Sequence, residues 1–252
     1  MSYYDRNRAY GAPAARARTG AVDQGLRDYM LGVYNYMTLG LGVTGLVAYG
    51  AYLAAVTRTP MGLELTSFGQ LILVSPLRWV IALAPLGFVF FLGARADRVS
   101  ASTARTLFLV FAGLIGLSLT SILVVYTHGS IARVFFITAA AFGGLSLYGY
   151  TTRRELSAFG SFLIMGLVGL IIAGLVNLFL QSSALQLALS VISVLIFSGL
   201  TAWDTQAIKD QYLESDGYEL AQKKSVFGAL SLYLDFINMF LALLRLFGDR
   251  NN

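Results

Sequence analysis

From Leu156 to Trp203 the chain runs for 48 residues without a charged side chain or a histidine. A helix needs roughly 20 predominantly apolar residues to span the hydrocarbon of a bilayer. This run is therefore long enough for two spans. The cluster Gln181, Ser182 and Ser183 at its middle predicts a tight turn between helices near 157–180 and 185–207.

Further uncharged runs cover Tyr29–Thr57, Trp79–Ala94, Thr106–Thr127 and Val134–Thr152, and a last apolar segment covers about Val226–Phe247. The composition agrees: 57% of the 252 residues are hydrophobic and 12% are charged, where a soluble domain carries about 25% charged residues. The expected fold is an all-α, seven-helix membrane bundle. The second segment is the shortest, and Pro85 removes a backbone donor from its middle, while Arg78 and Arg95 at its ends can snorkel to the interface.

Basic residues set the expected orientation. Thirteen of the 18 fall on the side of the N-terminus, among them Arg27, Arg95, Arg98, Arg105, Arg153, Arg154, Lys209, Lys223 and Lys224, against Arg58, Arg78, Arg133, Arg245 and Arg250 on the other. The positive-inside rule then places the N-terminus in the cytoplasm and the C-terminus outside. Residues 1–25 are rich in Arg, Ala and Gly without an apolar core, which predicts a flexible basic tail, with the membrane domain over 26–252. The chain has no cysteine and a single histidine, His128, so disulfides, thiolate chemistry and an imidazole metal cluster are excluded. Small residues four apart, Ala112 and Gly116, Ala139 and Gly143, Ala140 and Gly144, Gly169 and Ala173, predict close helix packing.

Two carboxylates stand inside the apolar segments, Asp204 and Asp235. An acid at a helix centre costs about 2.5–3.5 kcal/mol on insertion scales, so such residues face a partner or water. Gly228, Ser231, Asn238 and Ala242 share one helical face with Asp235, and Gln186, Ser190, Ser193 and Thr201 form a stripe ending at Asp204. The two helices follow one another in the chain, so both acids can meet at one site. Asp204 is close to the end of its helix and Asp235 near the middle of the next, and a tilted or late-starting last helix would bring them level.

Two carboxyls in a poorly hydrated place resist full ionisation together and titrate as a unit near neutral pH. A shared proton closes such a site, and its loss leaves two anions that repel or recruit a cation. Asp204, Asp235 and Asn238 are hard oxygen ligands suited to calcium as a transported ion, with Ser231 and Thr201 along the pathway and no resident cofactor. Arg95 is the positive group expected to clamp the pair, with simple snorkelling as the alternative. The plain alternative for the acids is a buried ion pair that fixes packing.

The last segment, Leu232-Tyr233-Leu234-Asp235-Phe236-Ile237-Asn238-Met239-Phe240 followed by Leu243-Leu244-Arg245-Leu246-Phe247-Gly248, closely resembles the C-terminal signature of the Bax-inhibitor family. Trp203-Asp204-Thr205-Gln206 resembles the family's aromatic-Asp-Thr-Gln element, and the length and lack of cysteine fit a bacterial member in the cell inner membrane. The resemblance implies a last helix surrounded by the other six and a pH-sensitive calcium leak gated by an aspartate pair, here Asp204 and Asp235. It also implies a latching arginine at the end of the second helix, matched to Arg95 or Arg98. No acid lies between Trp79 and Ala94, where the calcium-leak members carry one in the pore.

A competing reading is a membrane regulator of a membrane-anchored ATP-dependent protease, or a stress or cell-death modulator without conduction of its own, acting through the basic tail. The motifs speak against an intramembrane aspartyl or serine protease: no glycine pair flanks either acid, and Gly160-Ser161 has no intramembrane histidine partner. The chain is expected to be no enzyme, to bind no nucleic acid, and to sit in the lipid bilayer as a monomer or weak oligomer.

Overall fold

The computed structural model describes residues 11–59, 62–95 and 98–251, and of residues 11–23, 58, 62 and 90 the backbone alone. Helix α1 spans Gly11–Ala55, a hairpin of β1 (Val56–Thr59) and β2 (Gly62–Leu65) follows, and α2 (Ser67–Gly69) runs into a π-helical turn over Gln70–Val74. Then come α3 (Leu77–Arg95), α4 (Ala101–Val125), α5 (His128–Thr151), α6 (Ser157–Leu180), α7 (Ser183–Asp210) and α8 (Tyr218–Phe247). Among the described residues seven helices are long and apolar enough to cross a membrane: α1 from Gln24, and α3 to α8. With seven such helices in alternating direction, α1 enters the bundle from one face, the near side, and α8 leaves it at the other, the far side.

Short, capped connections force antiparallel neighbours. Thr127 and Ser182 accept hydrogen bonds from the backbone N–H groups of Ser130 and Leu185, opening α5 and α7 directly after the preceding helix. The expected turn at Gln181 is there: Gln181 adopts a left-handed φ of 48°, and the Asn177 side chain accepts from Ser182 N at 3.0 Å. A non-glycine residue in that region is uncommon, and the side-chain bond supplies the closure. On the far side the C-terminal segment is strapped to the α4–α5 connection, with Thr127 N donating to Asp249 O and Asn251 N donating to Val125 O, both at 2.9 Å.

Helix α8 is the axis. It packs against α1, α4, α5 and α7, and 72% of its apolar window is buried, whereas no other span exceeds 33%. The central last helix implied by the resemblance is thus borne out. Thr44 ties three helices together, donating to Ala112 O at 2.9 Å and sharing a 2.6 Å hydrogen bond with the fully buried Tyr233, whose ring meets Phe108 and Phe111 edge-on. Helices α3 and α6 are peripheral, resting mainly on α4 and α7.

Two expectations are corrected. Helix α8 begins at Tyr218 and not near Val226, about 12 Å earlier at 1.5 Å per residue. Glu219, Lys223 and Lys224 look like loop residues, yet charge does not end a helix that leaves the bilayer. Lys224 donates to Asp216 at 2.6 Å and to Gln211 O at 2.9 Å, which closes a short connection over 211–217. The hairpin and the π turn between α1 and α3 were not anticipated at all. Residues 1–10 of the expected basic tail lie outside the described residues, and from Gly11 the backbone is helical.

Candidate functional site

The pairing of α7 with α8 sets the site. Gly228 faces the Ile208 side chain so closely that an added Cβ would lie 3.0 Å from it, which puts these two residues at one level of the bundle. Asp204 lies one turn from Ile208 toward the far side, and Asp235 two turns from Gly228 in the same direction. Cβ atoms tilt toward the N-terminus of their own helix, so in this antiparallel pair Asp204 leans to the far side and Asp235 leans back to the near side. Neither tilt nor a late start is needed. The two carboxyls come within interaction range of each other, side chain to side chain, and a hydrogen bond between two carboxyls needs a proton on one of them. The Oδ2 atom of the buried Asp235 has no hydrogen-bond partner among the described residues.

The pair borders a cavity of about 510 Å³ that reaches the flank of the bundle between α3, α6, α7 and α8. Its polar wall consists of Asp204, Asp235, Ser193, Ser231, Asn238 and Arg245, and its apolar wall includes Leu86 of α3 and Leu167 and Ile171 of α6. From Asp235 to Arg245 the wall of α8 rises about 15 Å toward the far side. Toward the near side two contacts close the way: Ile208 against Gly228, and the Trp203 indole lying on Gly160, where a Cβ would collide with the ring.

Four of the six expected residues meet at this cavity, Asp204, Asp235, Ser231 and Asn238. Two do not. Thr201 is fully buried and donates to Phe197 O at 2.7 Å within its own helix. Arg95 is exposed at the near-side end of α3, its guanidinium 5.0 Å over the Phe91 ring. Among the described residues neither aspartate forms an ion pair. Arg245 was read only as a topology signal, although it continues the Gly228, Ser231, Asp235, Asn238, Ala242 spacing by three more residues. That spacing was the available signal for it.

The aromatic-Asp-Thr-Gln element divides its work among four directions. Trp203 covers Gly160 and Asp204 meets Asp235. Thr205 donates to Thr201 O and shares a 2.9 Å bond with Ser146 of α5. Gln206 accepts from Leu156 N at 2.8 Å and donates to Arg154 O at 2.9 Å, pinning the α5–α6 connection. The acid is therefore held by three neighbours that each lock α7 against a different element. No group of three or more His, Cys, Asp or Glu residues among those described is placed to hold a metal ion, so two carboxylates with neutral oxygens are the donor set on offer.

The chain is similar to known proteins over most of its length. A family model described as Inhibitor of apoptosis-promoting Bax1 matches residues 26–252. The chain is 47% identical to an uncharacterized protein of Caulobacter vibrioides over 98% of both chains. It is 45% identical to the inner membrane protein YbhL of Escherichia coli over 90% of this chain and 93% of that one. It is also 34% identical to an uncharacterized membrane protein of Streptococcus pyogenes, over 90% and 94%.

Proposed function

This chain belongs to the Bax inhibitor family as an integral, multi-pass inner membrane protein, and on that footing we propose that it is a pH-sensitive cation leak, with calcium as cargo, gated by Asp204 and Asp235. The observation that carries the reading is the contact of two carboxyl groups at the closed end of a cavity, with no base paired to either among the described residues. Structural ion pairs neutralise buried charge. With no base paired to either aspartate among the described residues, a proton is left to neutralise the pair.

With one proton shared, a hydrogen bond between the two carboxyls would tie α7 to α8 beside the Ile208–Gly228 contact. Removing it leaves two anions at close range in a poorly hydrated place, a repulsion that works to part the helices. Opening there joins the cavity to the near side, which the distribution of basic residues makes the cytoplasm. A divalent cation entering from the far side meets two carboxylates with the side-chain oxygens of Asn238 and Ser231 around them, the hard donors that calcium takes. Arg245 stands at the far end of the same wall, so it opposes cation entry.

The test is calcium-indicator proteoliposomes followed between about pH 6 and 8, the range a coupled carboxylate pair senses. Flux is expected to rise with pH as the shared proton leaves. Asp204→Asn and Asp235→Asn should each flatten that dependence, while Arg245→Ala raises flux and Arg95→Gln leaves the profile unchanged. No flux above empty liposomes at any pH would sink the leak. The regulatory reading predicts instead that deleting Met1–Ala21 removes function in cells while Asp235→Asn spares it.

A further inference from the structure

A second and larger cavity, about 840 Å³, lies on the opposite side of α8, where α1 and α5 run alongside each other without close packing. Leu31 and Leu41 of α1 form one bank, Gly143 and Leu147 of α5 the other, and Phe236 of α8 the floor. On α1 the groove runs from Arg27 to Leu41, about 21 Å at the helical rise of 1.5 Å per residue. That length exceeds the roughly 15 Å of hydrocarbon in one leaflet. Dividing 840 Å³ by 21 Å gives a mean cross-section of about 40 Å². Alkyl chains at van der Waals spacing of about 4.5 Å occupy roughly 20 Å² each, so the groove holds two side by side.

Among the described residues one polar bridge crosses the groove, and its hydroxyls offer no proton to an occupant, while Thr38 and Tyr150 add the other hydroxyls of the lining. Thr205 donates its proton to Thr201 O, so in the Ser146–Thr205 bond Ser146 is the donor, and in the 2.6 Å Tyr34–Ser146 bond the donor is Tyr34. All three hydroxyl protons are used inside the protein. The near-side mouth is different. Arg27 lines it, and Lys209 is held at its rim, 5.8 Å over the Tyr150 ring and donating to Tyr150 O at 3.0 Å. Arg153 and Arg154 follow within four residues of Tyr150, with Glu155 as the acid in that loop, while Asp28 lines a different cavity on the other flank of α1.

We propose that this groove binds one anionic diacyl phospholipid of the near-side leaflet, its phosphate at Arg27 and Lys209 and its two chains between α1 and α5. The cationic mouth selects the headgroup, and the apolar length selects the chains.

The experiment is native mass spectrometry of the full-length protein in mild detergent, titrated with phosphatidylglycerol and with phosphatidylcholine of identical chains. One phosphatidylglycerol should be retained in preference to phosphatidylcholine, and soluble glycerol phosphate should not displace it. Arg27→Gln should lower the preference about fivefold, the factor that corresponds to one basic residue at an anionic surface. An added Cβ at Gly143 meets nothing within 4 Å, so Gly143→Phe should fill the groove and abolish retention of both lipids. Should that variant fail to fold, a chain-length series on the unaltered protein decides the matter, with retention rising to about 16 carbons and then levelling. Equal retention of the two lipids, displacement by glycerol phosphate, undiminished retention in Gly143→Phe, or a flat chain-length series would each overturn the proposal.

Discussion

Of the seven spans, α6 is the most apolar and the least buried, with 6% of its apolar window inside the protein, whereas α8 carries a carboxylate at its centre and has 72% buried. In a soluble domain the order would be reversed, because apolar residues escape water by going inside. In a bilayer the lipid is as apolar as leucine, and association is driven by close packing and hydrogen bonds. Hydropathy therefore marks the helix that faces lipid, and notches and polar side chains mark the helix at the centre.

The strongest test places one substitution on both kinds of surface. A Cβ at Gly149 of α5 would collide with the backbone of Ala202 in α7. Gly149→Leu should force those helices apart, break the Ser146–Thr205 bond, and lower stability by about 3 kcal/mol or more, at the upper end of overpacking effects. Thermal unfolding in detergent measures it. A melting curve like that of the unaltered protein would mean the α5–α7 seam is looser than its geometry.

Next in size is Gln206→Ala. The substitution strips partners from Leu156 N and Arg154 O at once, and orphaned backbone groups cost about 1–3 kcal/mol. Because the connection lies at the near-side surface, where water offers some compensation, the expected loss is about 2 kcal/mol. Amide exchange at Leu156 should rise in step with the lost stability, and unchanged exchange would show the clamp to be decorative.

Tyr233→Phe is smaller again. It removes one hydroxyl from the buried centre, while Thr44 keeps its bond to Ala112 O and the Phe108 and Phe111 contacts remain. A loss of about 1 kcal/mol is expected, the net worth of one intramolecular hydrogen bond.

These contrasts explain what was legible in the sequence. The spans were, because twenty apolar residues have few alternatives, and the bounds of α6 came out as expected while α7 ran only a few residues longer. The aspartate pair was, because a carboxylate in an apolar run needs a partner. Helix packing was not. Of the four small-residue pairs, Ala112 and Gly116 do receive Thr44 of α1, but Gly143, Gly144 and Gly169 have nothing within 4 Å of an added Cβ. The tight seams use Gly149, Gly160 and Gly228 instead. A notch is a local property, while the backbone that fills it comes from a distant part of the chain. Arg95 illustrates the same limit: its place in sequence matched the near-side end of a helix, yet which cavity that end borders depends on how α3 leans on α4.

The smallest effect is expected where apolar character is greatest. Gly174→Leu in α6 makes the same change as Gly149→Leu, but an added Cβ at Gly174 meets nothing within 4 Å. The new side chain enters lipid both in the folded bundle and in the separated helix, so burial contributes nothing to the difference between them. The gain in helix propensity over glycine, about 0.8 kcal/mol in water, shrinks where the separated helix is already formed in the bilayer. Stability should therefore shift by less than about 0.5 kcal/mol, as for surface positions generally. A loss as large as that of Gly149→Leu would mean that this face of α6 meets protein in the membrane, either α3 in another position or a second copy, and the division between lipid-facing and central helices would have to be redrawn.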